Sequence, residues 1–232
     1  MFLTRFRINT ARREGRELLG SPHRMHAAVA MSFPDLPSRD GDGPRVLWRV
    51  DRNSSAEVLL FLVSPGRPDL THLVEQAGWP ASQTAGWQTY DYSPFLGRLT
   101  EGSTWAFRLT ANPVHAIRRK EGEPTKRTAH ITPRHQAAWL LAKQESAGFA
   151  VVETPADKRV LQHGDEHQLV VRDQRALRFA KASEQRTVTL TTVTYDGLLR
   201  VTDPAALRRT LTQGLGKAKA YGCGLMTLAP VG

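Results

Sequence analysis

The sequence predicts an α+β protein made of two similar halves, and three observations carry that prediction. Short segments alternate apolar and polar residues with the period of a strand; Phe2, Phe6 and Ile8 against Leu3, Arg5 and Arg7 are the first. Helical segments between them are punctuated by start and stop signals, Ser21-Pro22 and Asp203-Pro204 at two of the starts. The order strand, helix, strand, strand, helix, strand is laid out once and then repeated with looser connections. That β-α-β-β-α-β order is the ferredoxin-like (RRM-like) plan, here in tandem.

In the first half, the opening strand has an apolar face and a largely basic one. A helix is predicted near residues 22 to 31, with Ser21 as its N-cap and Pro22 at the first helical position. Arg45 to Asp51 and Glu57 to Ser64 read as a hairpin joined by the polar turn Asn53-Ser54-Ser55. A second helix runs from about Asp69 to Ala77 and stops at Gly78, and the aromatic segment Trp87 to Tyr92 supplies the last strand.

The second half begins with a strand in which Trp105, Phe107 and Leu109 alternate with Ala106, Arg108 and Thr110. A basic segment carrying Arg118, Arg119, Lys120, Lys126 and Arg127 follows, and Thr132-Pro133 starts a helix that ends at Gly148. Phe149 to Glu153 reads as a strand, and Gln168 to Lys181 as a long basic hairpin. Thr187 to Tyr195 is rich in β-branched residues. The last helix presents Leu207 and Leu211 on one face, with Gly214 after its end, and Leu225 to Leu228 forms the final strand. Pro94, Gly97 and Gly102 cluster between the halves, which places one domain at 1–98 and the other at 99–232.

Charge and composition narrow the class of partner. The 232 residues hold 32 Lys+Arg against 22 Asp+Glu, a formal charge of +10. Such an excess makes a polyanion the default partner, nucleic acid before an anionic membrane surface. No run reaches the apolar length of a membrane span, and Met1 to Asn9 lacks the apolar core of a signal peptide. The single cysteine, Cys223, excludes an intrachain disulfide and a cysteine-based zinc site. A reducing compartment, most simply the cytoplasm, is the expected location.

Two segments carry candidate chemistry. The tail Gly214-Leu215-Gly216-Lys217-Ala218-Lys219-Ala220-Tyr221-Gly222-Cys223-Gly224-Leu225 combines glycines, whose backbone another molecule can approach closely, with two lysines. It follows a helix and leads into a strand, so it fits neither the Walker loop nor the dinucleotide fingerprint. A phosphate cradle for a polymer backbone is the functional reading, built on Gly214, Gly216, Lys217 and Lys219; helix-capping glycines are the plain one. On the first helix, His23 and His26 lie three apart and share a face, with Arg24 beside them. Imidazoles titrate near neutrality and serve as general acids and bases. The same spacing also suits two surface histidines. Zinc would need further ligands, and no metal or cofactor is expected. The pair His163 and His167 reads as a solvated hairpin tip. The first helix and the tail can meet only if the two halves face each other across a basic cleft.

With these motifs in view, the chain resembles the CasE family, the CRISPR-associated endoribonucleases that process precursor CRISPR RNA in the type I-E Cascade complex. The resemblance runs nearly end to end: Met1-Phe2-Leu3-Thr4-Arg5-Phe6, Ser21-Pro22-His23-Arg24-Met25-His26, Val46-Leu47-Trp48-Arg49-Val50, Phe107-Arg108-Leu109-Thr110-Ala111-Asn112-Pro113, the tail, and Leu228-Ala229-Pro230. It implies tandem ferredoxin-like domains and metal-independent cleavage at the 3′ base of a repeat hairpin. The products are a 2′,3′-cyclic phosphate and a 5′-hydroxyl, and the processed RNA stays bound. It also implies a free monomer that joins other Cascade subunits, the backbone subunit among them. His26 falls on the family's catalytic histidine, whereas the family often has tyrosine where this chain has His23. Further along the helix the family tends to be more basic than Ala27 and Met31, which shifts phosphate stabilisation to Arg24 or another segment.

The chemistry is consistent without the family. RNA carries its own nucleophile, so a protein need only align it, move two protons and stabilise the phosphorane charge. Stem recognition rests on shape and phosphate contacts, and Arg172, Arg175, Arg178 and Lys181 are the candidates for that grip. A non-catalytic RNA-binding scaffold and a nucleic-acid-binding regulator are the alternatives from other classes.

Overall fold

The computed structural model describes residues 1–35, 43–83, 86–117, 126–161, 164–180 and 187–231. In chain order the first half holds β1 (Phe2–Ile8), α1 (Arg13–Gly20), α2 (Pro22–Ala30), β2 (Leu47–Arg52), β3 (Val58–Ser64), α3 (Thr71–Ala77) and β4 (Trp87–Asp91). The four strands form one antiparallel sheet ordered β2-β3-β1-β4, the ferredoxin-like arrangement. Alternation decides the faces. Phe6, Ile8, Trp48, Leu60 and Leu62 point to the helices, where Met25, Val29, Leu70 and Leu73 complete one core. Each such side chain contributes about 1.5–3 kcal/mol by leaving water.

After the short α4 (Ser93–Gly97), the second half holds β5 (Thr104–Ala111), β6 (Val114–Ile117), β7 (Lys126–Ala129), α5 (Pro133–Leu141), α6 (Gln144–Ala147), β8 (Phe149–Val151), β9 (Leu169–Ala180), β10 (Thr187–Val201), α7 (Pro204–Gln213) and β11 (Met226–Pro230). Its sheet is ordered β11-β5-β10-β8, the same plan again, with β9 added along β10. The tandem ferredoxin-like fold is therefore observed.

Local departures from the sequence reading have physical reasons. The eight-residue α1 lacks a side-chain N-cap; it is held by ion pairs of Glu17 with Arg13 at 2.9 Å and Arg24 at 2.6 Å. The helix expected from Thr132 to Gly148 is broken into α5 and α6 and ends at Gly148, whose φ of 82° suits glycine. Gln168 to Lys181 is not a hairpin by itself. Residues 169–180 are one strand, and their partner is β10. Arg118, Arg119, Lys120, His163 and Lys181 lie outside the described residues.

The halves are pinned together by Arg49, which is 1% exposed. Its Nε and Nη2 donate to the Asp51 carboxylate at 2.6 and 2.9 Å, and Nη2 also reaches the Thr227 hydroxyl at 2.8 Å. Nη1 donates to the carbonyls of Arg108 at 2.8 Å and Leu225 at 3.0 Å. All five guanidinium N–H groups are thus satisfied, three of them by the other half. Leu47 and Val63 join Leu225 and Met226 in a shared apolar core. Burial pushes the Cys223 thiol up to about 12, so it stays protonated and unreactive.

Candidate active site

The histidine helix is built as its sequence requires. Ser21 is extended, and its hydroxyl accepts from the Arg24 backbone N–H at 3.3 Å, capping α2. Met25, Ala28 and Val29 are buried against the sheet, which leaves His23 and His26 half-buried on the flank. The Nδ1 of His26 is turned fully inside. Arg24 is placed elsewhere. Two positions apart on an α-helix puts it on nearly the opposite side from His26. There it binds Glu17, whose carboxyl is held low by Arg13 and then Arg24.

The glycine-rich tail packs directly on α2 and β2 through a 3₁₀ turn at Lys219–Tyr221. Its glycines have steric reasons of their own. A Cβ on Gly214 would stand 2.9 Å from Leu47, and one on Gly222 would stand 2.6 Å from Trp48, both residues of the other half. Gly216 similarly admits Trp139 of α5. What faces outward is charge. Lys219 is half-buried, and its pKa is lowered by that burial and then by Arg45 and Lys217. Such convergence of cations is relieved by a bound anion.

The basic ribbon is divided by a bulge. Between Thr192 and Thr194 the β9–β10 register slips, and Asp173 takes a φ of 53°. The slip brings Arg172 and Arg175 to one side with Leu177, beside the first half. Arg178 alternates to the other side, as does Gln174, which accepts from Gln136 of α5 at 2.6 Å. Arg172 is tied to Asp196 at 2.6 Å and to Asp173, and Arg108 shares Asp196 at 2.6 Å. Burial works to raise the Asp196 carboxyl, but the two arginines outweigh it and hold it low. Arg175 and Arg178 are exposed. The α2 helix that carries His23 and His26 lies against the turn that begins at Lys219, and Arg175 shares a cavity wall with Pro22 and Met25 of that helix. Arg24 and Arg172 are engaged in ion pairs, and Arg178 faces away.

Sequence reasoning missed Arg45, Arg52 and Trp48 as cleft residues. It also missed a stack of histidines at the root of the β6–β7 ribbon. His115 and His130 lie 4.4 Å apart between ring centroids, and His130 and His135 lie 5.9 Å apart. Burial, then His115, then His135 lower the His130 pKa from the usual 6.5. A depressed histidine binds fewer protons folded than unfolded, so it costs stability as pH falls through the ordinary histidine value. His130→Gln is expected to flatten the fall in thermal midpoint between about pH 7.5 and 5.5.

A tandem ferredoxin-like protein with a cationic, histidine-flanked cleft suited to a polyanion is the class these features define. The family model of the CRISPR associated protein matches residues 1–230. Over 232 residues the chain is 28% identical to the CRISPR-associated endoribonuclease Cse3 of Thermus thermophilus, covering 99% of this chain and 100% of that protein. It is 29% identical over 195 residues to the CRISPR system Cascade subunit CasE of Escherichia coli, covering 80% of this chain and 89% of that one. The solved structure of Cse3 bound to a 19 nt RNA superposes with a TM-score of 0.74 at 27% identity, covering 99% of both chains. The chain belongs to the CRISPR-associated protein family, in its CasE branch.

Proposed function

We propose that this chain is a metal-independent endoribonuclease that cleaves precursor CRISPR RNA at the 3′ base of the repeat hairpin, keeps the product and serves as a Cascade subunit in the cytoplasm. The observation that carries this reading is the packing of α2 on the Lys219–Tyr221 turn. It brings the helix that carries His23 and His26 to the turn that begins at Lys219, in a chain similar over 99% of its length to a CRISPR-associated endoribonuclease.

In the reaction, the 2′-oxygen loses its proton and attacks the adjacent phosphorus. The bond to the 5′-oxygen breaks, and that oxygen takes up a proton, leaving a 2′,3′-cyclic phosphate and a 5′-hydroxyl. His26 moves one of these protons, and His23, on the same helix face, is positioned to move or hold the other. Lys219 and Lys217 stabilise the extra negative charge of the phosphorane. Gly214 and Gly216 hold the loop in the shape that presents those lysines, while Arg175 grips the stem.

Cleavage of a CRISPR repeat RNA in EDTA tests the reading. The expected result is a cyclic phosphate product, and none when a 2′-deoxy nucleotide precedes the scissile phosphate. Tight binding of the unmodified RNA without cleavage would leave a scaffold instead.

A further inference from the structure

Between the two halves lies a cavity of about 130 Å³, where the end of α1, the start of α2, β2, β9 and the glycine-rich tail meet. At roughly 10–15 Å³ per water it has room for about ten waters. Its walls are mixed in a particular way. Leu19, Pro22, Met25, Trp48, Leu177 and Tyr221 supply apolar and aromatic surface. Trp48 is 4% exposed, and its indole N–H is closed off from the cavity.

Charge singles out one side of the cavity. Arg108 and Arg172 are neutralised by Asp51, Asp196 and Asp173. Arg52 and Arg175 are not: no carboxylate pairs with either among the described residues. Burial and then the charge of Arg175 lower the Arg52 pKa. An apolar, aromatic slot beside two unbalanced cations matches one nucleotide, base inward and phosphate on the arginines.

We propose that this cavity receives one unstacked nucleobase of the RNA beside the scissile phosphate. The inference rests on the cleavage reading above and explains a geometric need of it. In a stacked A-form strand the 2′-oxygen, phosphorus and 5′-oxygen are out of line, so in-line attack requires one nucleotide to leave the stack. Pro22 and Met25 line the cavity, and His23 and His26 each follow one of them on the same helix. The slot and the histidines therefore occupy adjoining sides of one helical turn.

The test is single-turnover cleavage, in EDTA, of repeat RNAs carrying an abasic nucleotide on either side of the scissile phosphate. Wild type is compared with Leu177→Trp, which fills the slot. One abasic RNA is expected to be cleaved about tenfold more slowly than intact RNA by the wild type. Leu177→Trp is expected to cleave intact RNA at that slow rate and to ignore the abasic change. Equal rates on all RNAs by the wild type, or a full abasic penalty in Leu177→Trp, would overturn the proposal. The wild-type comparison of intact and abasic RNA reports even if the larger residue at 177 disturbs folding. No cleavage of intact RNA by the wild type would instead count against the endoribonuclease reading.

Discussion

Arg49→Met is expected to cost about 3–5 kcal/mol of stability in urea unfolding, the largest effect on folding of any single change considered. The substitution keeps much of the side-chain volume and removes the charge. It leaves Asp51 nearly buried with the 3.4 Å contact from Arg108 as its one remaining ion pair among the described residues, and it strips donors from the carbonyls of Arg108 and Leu225. Arg49→Lys should recover little. An ammonium cannot reproduce a fork that serves a carboxylate, a hydroxyl and two carbonyls at once. Removing both charges in Arg49→Met/Asp51→Leu should restore part of the loss, because the remaining penalty of the single variant is an unpaired buried carboxylate. A loss below about 1 kcal/mol for Arg49→Met would contradict the role of Arg49 as the pin between the halves.

His26→Ala is expected to slow single-turnover cleavage by about 10²–10⁴-fold while changing the RNA dissociation constant little. The separation follows from placement. His26 lies on the flank of α2, whose buried face is made by Met25, Ala28 and Val29, so truncation leaves the helix and its core contacts standing. The cations that bind the polyanion sit on other elements, Lys219 on the tail and Arg175 on β9. Comparable losses in rate and affinity would make His26 a binding residue rather than a proton carrier.

Much of this architecture is legible from residue patterns because it depends on local rules. The Ser21-Pro22 and Asp203-Pro204 starts and the Gly148 and Gly214 stops all fall where helices begin and end. The alternation of β1 correctly turns Phe6 and Ile8 toward the helices. What stays hidden depends on distant partners. Arg49 looks like any basic residue of a strand until the second half supplies Arg108, Leu225 and Thr227. Arg172, Arg175 and Arg178 look equivalent; alternation separates Arg178 from Arg175, and the bulge at Asp173 brings Arg172 to the side of Arg175. The α1 helix has a polar surface and no side-chain cap, so its signal is weak, and its Glu17 is what draws Arg24 away from the histidines. Gly214 reads as a place for a phosphate, and its close neighbour is Leu47.

The most direct test of the account is a double-mutant cycle across the two halves, reading single-turnover cleavage of repeat RNA in EDTA with saturating protein. His26→Ala, Lys219→Met and the double variant are compared with the wild type. Groups that act on the same phosphate in one transition state lose their effect together. The account predicts that Lys219→Met alone slows cleavage by about 10²-fold, and that the double variant is within about threefold of His26→Ala. Two effects that multiply in full would mean that Lys219 and His26 work independently, and would contradict a single active site built from both halves.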